Sequence, residues 1–308
     1  MMPPPPEATA VAPHWPPLLQ PGDLVAVVAP ASPVEPEIFR RGRQVLEEWG
    51  FRLRHGEEIF QARPWGRDTD RLLAAELRRV MDDPEVRGVI CARGGYGSLK
   101  LLEHLDNDPR AVPRKVFVGF SDVTNLLCHF YQRGGLVTFH GPNVAHLGEA
   151  TPAARASLLH ALTASRPHRQ NFTGLNVIHP GRGHGPLVGG NLTTLCHLVG
   201  TPFLPDTAGH ILFLEDQGEA AYRIDRMLHH LRLAGVLDRV AGVVLGSFTN
   251  GGDLDKIGEI AAAALAPLKC PVLAGLPVGH QPDNHTLPLG ALASLDAEAG
   301  CLEIVFSS

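Results

Sequence analysis

The chain lacks any cysteine pair at C-x-x-C spacing and has only five cysteines in 308 residues, Cys91, Cys128, Cys196, Cys270 and Cys301. A dispersed, odd set reads as small buried hydrophobes in a reducing compartment, which excludes a disulfide framework. No apolar run approaches the ~18 residues that a membrane span requires. The start, Met1-Met2-Pro3-Pro4-Pro5-Pro6, offers neither the basic nor the apolar region of a secretory signal. A cytoplasmic protein with no membrane partner is the expectation. Long runs of Lys or Arg are also missing and the formal charge is −5, so nucleic acid is not an expected partner. Sixteen histidines raise the question of a metal. There is no H-E-x-x-H and no Cys/His cluster at zinc-finger spacing, so no metal is expected. Neither G-x-x-x-x-G-K-[ST] nor G-x-G-x-x-G with a distant ribose acid occurs, so no nucleotide cofactor is expected.

What remains is a chain 44% hydrophobic and 19% charged, enough for a sizeable core and two domains. Residues 1–20 are rich in Pro and Ala and read as a disordered tail. Leu24 to Ala29 is an unbroken apolar run, as expected of a strand buried on both faces. A helix from about Glu35 to Trp49 follows, stopped by Gly50. Asp68 or Thr69 caps another helix reaching Met81, with Leu72, Leu73, Leu77 and Val80 on its apolar face. The alternation of strand and helix predicts a doubly wound parallel sheet over 21–148. Residues 149–186, with scattered Pro and Gly and weak periodicity, read as a connecting segment. A second α/β domain is expected over 187–308.

The organising stretch is Val116 to Thr124. Val116-Phe117-Val118 reads as a buried strand ending at Gly119, and Val123, Leu126, Leu127 and Phe130 then mark one face of a helix. Ser121 falls at the turn between them. A serine there can be lifted clear of the sheet as a nucleophile, or it can be an ordinary helix cap, the commoner case. Arg93-Gly94-Gly95-Tyr96-Gly97 follows another buried strand. It can be a tight turn or a place where N–H groups meet a developing oxyanion. Glu215 and Asp216 end the strand Ile211 to Leu214, and His280 sits in a loop after the last apolar strand. Each of the three groups, Ser121, Glu215 and His280, lies past the carboxyl end of a strand, where sites in such sheets collect.

These motifs, in order, carry a resemblance. Gly22-Asp23 with Ala29-Pro30, Asp83-Pro84, Arg93 to Gly97, Gly119 to Thr124, Gly190-Asn191-Leu192 with Gly200-Thr201-Pro202, Leu214-Glu215-Asp216 with Tyr222 to Arg226, and Gly279-His280 with Asn284 all occur. Together they resemble the LD-carboxypeptidase family of serine peptidases, which includes muramoyltetrapeptide carboxypeptidases and microcin-immunity peptidases. The resemblance implies a two-domain α/β fold with a Ser-His-Glu triad. Ser121 would be the nucleophile, His280 the base and Glu215 the orienting acid, with Glu219 the alternative acid. Backbone N–H groups of Gly95 and Asp122 would form the oxyanion hole, with Gly94 as the alternative to Gly95. It also implies a muropeptide or other small peptide as substrate, no cofactor, and a homodimer. The substrate expectation is removal of the terminal D-alanine from cell-wall tetrapeptides, with Arg93 or Arg223 holding the free carboxylate. Two other readings stand beside it: hydrolysis of microcin-like peptide-nucleotide conjugates, and a non-catalytic small-molecule binding protein in which Ser121 only caps a helix. The second glycine of G-x-S-x-G is replaced by Val123, which argues against an ordinary lipase or esterase.

Overall fold

The computed structural model describes residues 12–106, 112–251 and 254–307. Two sheets frame the described residues. In the first, strands Arg52–Arg54, Leu24–Val28, Val86–Cys91, Val116–Gly119 and Thr138–His140 lie side by side and parallel. Leu287–Leu289 closes its far edge, antiparallel to Thr138–His140. Val25, Val89, Ile90 and all of Val116 to Val118 are fully buried, as continuous apolar runs must be when helices cover both faces of a sheet.

The second sheet has eight strands. Its centre is parallel, with Arg182–Asn191, Ile211–Gln217, Gly242–Thr249 and Val272–Ala274 adjacent in that order. Antiparallel strands flank it: Leu292–Asp296, Cys301–Phe306 and His168–Phe172 on one side, and Asn176–His179 on the other. The α/β class is as expected, and the second sheet is mixed.

Three stretches differ from the sequence reading. Residues 1–11 lie outside the described part of the tail, but 12–20 are packed and not disordered. Trp15 packs against Phe306 with ring centres 5.2 Å apart and the planes tilted by 34°, and its indole N–H donates to Ser307 Oγ at 2.9 Å. Leu19 is buried and its N–H donates to Leu162 O at 2.9 Å. Two apolar anchors suffice to dock a proline-rich strand that makes no element of its own. Within 149–186, instead of a bare connection, lie the helix Pro152–Thr163 and strands that join the second sheet. Leu72 is 66% exposed. Leu73, Leu77 and Val80 share a helix face at i, i+4 and i+7, and Leu72 is turned about 100° away from Leu73. The helix itself runs Arg67–Asp82.

The central turn forms as its residues dictate. After Val116–Gly119, residues Ser121–Val123 make one tight 3-10 turn, which passes into the α-helix Thr124–Gly134. Val123, Leu126, Leu127 and Phe130 are buried. Gly135, at φ +68°, ends the helix in the left-handed conformation, and its N–H donates to Tyr131 O at 2.7 Å.

Candidate active site

Ser121 is one of two non-glycine residues at positive φ among the described residues, at +64°. An L-residue there is strained by roughly 1–2 kcal/mol, and such strain persists only where neighbours enforce it. Gly94 is the neighbour. A Cβ on Gly94 would stand 2.8 Å from Ser121 Cβ and 3.1 Å from its Oγ. The glycine turn and the serine turn therefore touch, and only a residue without a side chain fits between them. The glycine turn is itself latched: Ser32 N–H donates to Gly94 O at 3.2 Å, and Tyr96 N–H donates to Ser32 Oγ at 3.1 Å. Gly95, at φ +110°, packs its Cα against the Ser32 side chain.

Asp122 does structural work with its side chain. Its Oδ2 accepts from Ser98 N–H at 2.8 Å. Its carbonyl accepts from Ser98 Oγ at 2.5 Å and from Asn125 Nδ2 at 3.1 Å. Burial pushes its carboxyl above the usual range, and the Ser98 contacts pull it back. The Asp122 amide belongs to the first turn after the strand, where N–H groups lack an intrahelical acceptor.

In the other part of the site, His280 Nδ1 lies 2.7 Å from Glu215 Oε2. A buried carboxylate accepts, so Nδ1 carries the proton and Nε2 is left as the acceptor. Glu215 is fully buried beneath two glycines and lies inside the strand Ile211–Gln217, not past its end, because the ladder with Arg182–Asn191 continues through it. A Cβ on Gly246 would come within 3.2 Å of Glu215 Cβ, and one on Gly279 within 2.9 Å of Glu215 Oε2. Burial pushes the Glu215 carboxyl up, and the His280 charge and hydrogen bond pull against it. For His280, burial pulls its pKa down, but the Glu215 charge and hydrogen bond outweigh it and the net shift is upward. The direction for His280 follows from the 2.7 Å contact. The base loop is tied down by Asn284 Oδ1, which accepts from Gly279 N–H at 3.0 Å.

Ser121, Asp122, Gly94, Gly95, Arg93, Glu219 and His280 all line one cleft of about 470 Å3. Glu215 lies behind His280. Glu219 instead faces Arg223, Oε2 to Nη1 3.4 Å. Arg93 reaches the cleft wall, while Arg223 is not among the lining residues.

Sequence reasoning named Asp216 without giving it a role and missed His146. Asp216 is buried and saturated, accepting from Asn191 Nδ2 at 2.9 Å, Thr193 N–H at 2.9 Å and Thr193 Oγ1 at 2.7 Å. It fastens the helix Leu192–Leu198 to the strand end that carries Glu215. The signal available was its position beside Glu215. His146 also lines the cleft, with its ring 4.7 Å from the Phe120 ring, which in turn lies 4.8 Å from that of His280. Asn143 Oδ1 accepts from both His146 N–H and Nδ1. Burial takes His146 down to about 4 and the fully buried His140 to about 3. No spacing in the sequence marks either. Among the described residues there is no cluster of three His, Cys, Asp or Glu side chains able to hold a metal ion.

Residues 25–141 match the model of the LD-carboxypeptidase N-terminal domain, and 184–295 that of its C-terminal domain. A Streptomyces coelicolor relative is 40% identical over 297 residues, which span 93% of this chain and 94% of that protein. The murein tetrapeptide carboxypeptidase of Pseudomonas aeruginosa is 33% identical over 289 residues, 88% of this chain and 92% of that protein. The microcin C7 self-immunity protein MccF, without ligand, superposes with a TM-score of 0.87 at 25% identity, covering 96% of this chain and 99% of its own. Two matched domains in the expected order, on the fold that carries them elsewhere, establish that this chain belongs to the LD-carboxypeptidase family and is a serine carboxypeptidase.

Proposed function

We propose that Ser121, His280 and Glu215 act as nucleophile, general base and orienting acid in removing the terminal D-alanine from muropeptide tetrapeptides. The observation that carries the reading is one cleft wall bearing a strained serine and the other an imidazole whose far nitrogen is pinned to a buried carboxylate. His280 Nε2 takes the Ser121 proton as Oγ attacks the scissile carbonyl carbon. Negative charge on the former carbonyl oxygen is met by the N–H groups of Gly95 and Asp122, each worth about 3–4 kcal/mol in the transition state. The protonated imidazole gives its proton to the departing amine, leaving an acyl-enzyme. Water, deprotonated by His280, then releases the shortened peptide and restores Ser121. Glu215 keeps the imidazole in the productive tautomer and stabilises its cation.

Arg93, on the cleft wall, supplies a charge-assisted contact for the free carboxylate that defines a carboxypeptidase substrate. The substrate assignment is supported by the murein tetrapeptide carboxypeptidase relative. Release of D-alanine from a tetrapeptide ending in an L-diamino acid–D-alanine bond tests it. Activity on that peptide, lost in Ser121→Ala, is expected; no release by the wild-type protein would end the reading. The likeness to the microcin self-immunity protein, also solved with aspartyl sulfamoyl adenosine, favours a second substrate, a microcin-like peptide-nucleotide conjugate, and measuring release of the nucleotide part from such a compound separates the two. Residence in the cytoplasm and a homodimer belong to this reading through family resemblance. Light scattering at micromolar concentration decides the latter.

A further inference from the structure

A second, smaller hollow of about 330 Å3 adjoins the cleft, and Tyr96 lines both. Its rim carries an unusual exposure. Trp65 is 83% and Tyr96 57% accessible, although large aromatic rings gain most from burial. The two rings stack on each other, centres 5.6 Å apart at 30°. Lys100 Nζ sits 5.7 Å from the Trp65 ring centre and 5.2 Å from that of Tyr96, and it is held by Asp70 Oδ1 at 3.0 Å. The platform is therefore ordered, apolar on its faces, and edged by one ammonium and one carboxylate.

We infer that Trp65, Tyr96 and Lys100 form a subsite for a pyranose ring, the amino sugar attached to the N-terminal end of the peptide whose C-terminal residue is removed at Ser121. The inference rests on the murein reading above and extends it to the far end of the substrate. Three observations support it. First, position: Gly94 touches Ser121, and Tyr96 follows two residues on, so its Cα lies within about 7.6 Å of that of Gly94. A three-residue peptide upstream of the cut spans roughly 10 Å when extended, long enough to reach from Ser121 to a platform that begins two residues from Gly94. Second, ring chemistry: a pyranose presents an apolar C–H face for an aromatic ring and equatorial hydroxyls for groups at its edge, here Lys100 and Asp70. Third, spacing: a flat base inserted between two rings needs about 7 Å, twice a stacking distance. Trp65 and Tyr96 are already stacked on each other, so a base sandwich between them is excluded and a ligand must meet an outer face.

The test compares one tetrapeptide in two forms, bare and carrying N-acetylmuramic acid at its N-terminus. The wild-type protein is expected to show a lower KM for the sugar-bearing form. Trp65→Ala should raise that KM about 5-fold, the size of one aromatic contact, and leave kcat/KM for the bare peptide within about 2-fold. Trp65→Phe, which keeps a ring, should recover most of the loss. Equal effects on both substrates, or none, would overturn the subsite while leaving the peptidase reading intact. A binding readout separates the two further. In Ser121→Ala, the sugar-bearing peptide should change tryptophan fluorescence, and the change should vanish when Trp65→Ala is added. That result without turnover by the wild-type protein sinks the peptidase reading and keeps the subsite. A response to adenosine monophosphate but not to the amino sugar overturns the subsite. Trp65 is exposed, so its truncation is not expected to unfold the chain.

Discussion

The two walls of the cleft hold their reactive groups by different physics. The serine wall is a matter of backbone. Ser121 sits at φ +64° between a buried strand and a helix, with Gly94 packed against its side chain, and its hydroxyl needs no buried charge. The histidine wall is a matter of charge. Glu215 is taken out of water and held 2.7 Å from His280 Nδ1, with glycines at 246 and 279 clearing space around it. The first wall stores strain and the second stores a buried carboxylate hydrogen-bonded to an imidazole, so each should fail in its own way.

The sharpest break is at the nucleophile. Ser121→Gly should abolish hydrolysis, a loss on the order of 10⁶-fold in kcat, while raising stability by roughly 1 kcal/mol because glycine relaxes the left-handed strain. Urea titration beside the D-alanine assay checks both halves; a destabilised Ser121→Gly would mean that the turn is not strained. Next comes the acid. Glu215→Gln should cost about 10⁴-fold in kcat, by loss of the tautomer-holding charge, whereas Glu219→Gln, whose carboxylate faces Arg223, should cost less than about 10-fold. Equal losses in the two would remove Glu215 from its role.

Third is the pH profile. His280 must be neutral to act, and its pKa is raised above the ordinary value of about 6.5. Activity should therefore fall on acidification with a midpoint above 6.5, and Glu215→Gln should move that midpoint down. Fourth, Gly94→Ala pushes a methyl to 2.8 Å from Ser121 Cβ. It should lower kcat about 10²-fold by displacing the hydroxyl, with a smaller effect on KM.

The smallest effect is global. His140 and His146 are buried neutral, with values near 3 and 4. Their folded pKa values are depressed, so the unfolded chain binds more protons below pH 6.5. Stability from these two groups is complete above that pH and lost as pH falls toward 4. Each contributes a slope of about 1.4 kcal/mol per pH unit. Chemical denaturation at pH 7.0, 6.0 and 5.0 measures it, and His140→Phe should flatten the curve.

The serine wall was the more legible in sequence. A run of three apolar residues, a glycine, and apolar positions at helical spacing are local signals, and they named both the strand and the helix around Ser121. The ordered motif set carried Glu215 and His280, but nothing local says that residues 65 apart in sequence meet. That contact follows from strand order, which sequence periodicity does not encode. The same limit hid the second sheet inside 149–186. Its antiparallel strands are half exposed and pair with segments more than ninety residues away, so their alternation is faint. Residues 12–20 were misread for another reason: composition averages away the two side chains, Trp15 and Leu19, that dock them. His146 had no signal at all, since its tautomer is set by Asn143 in the folded state alone.

Seven residues past His280, the chain lays Leu287–Leu289 along Thr138–His140, crossing back into the sheet that carries Ser121. Proton acceptor and alcohol are thereby lashed to a common slab, and their separation does not depend on how two lobes happen to swing. A gene cut between the lobes would strand that ribbon on the wrong fragment, so neither piece alone would rebuild the floor of the site.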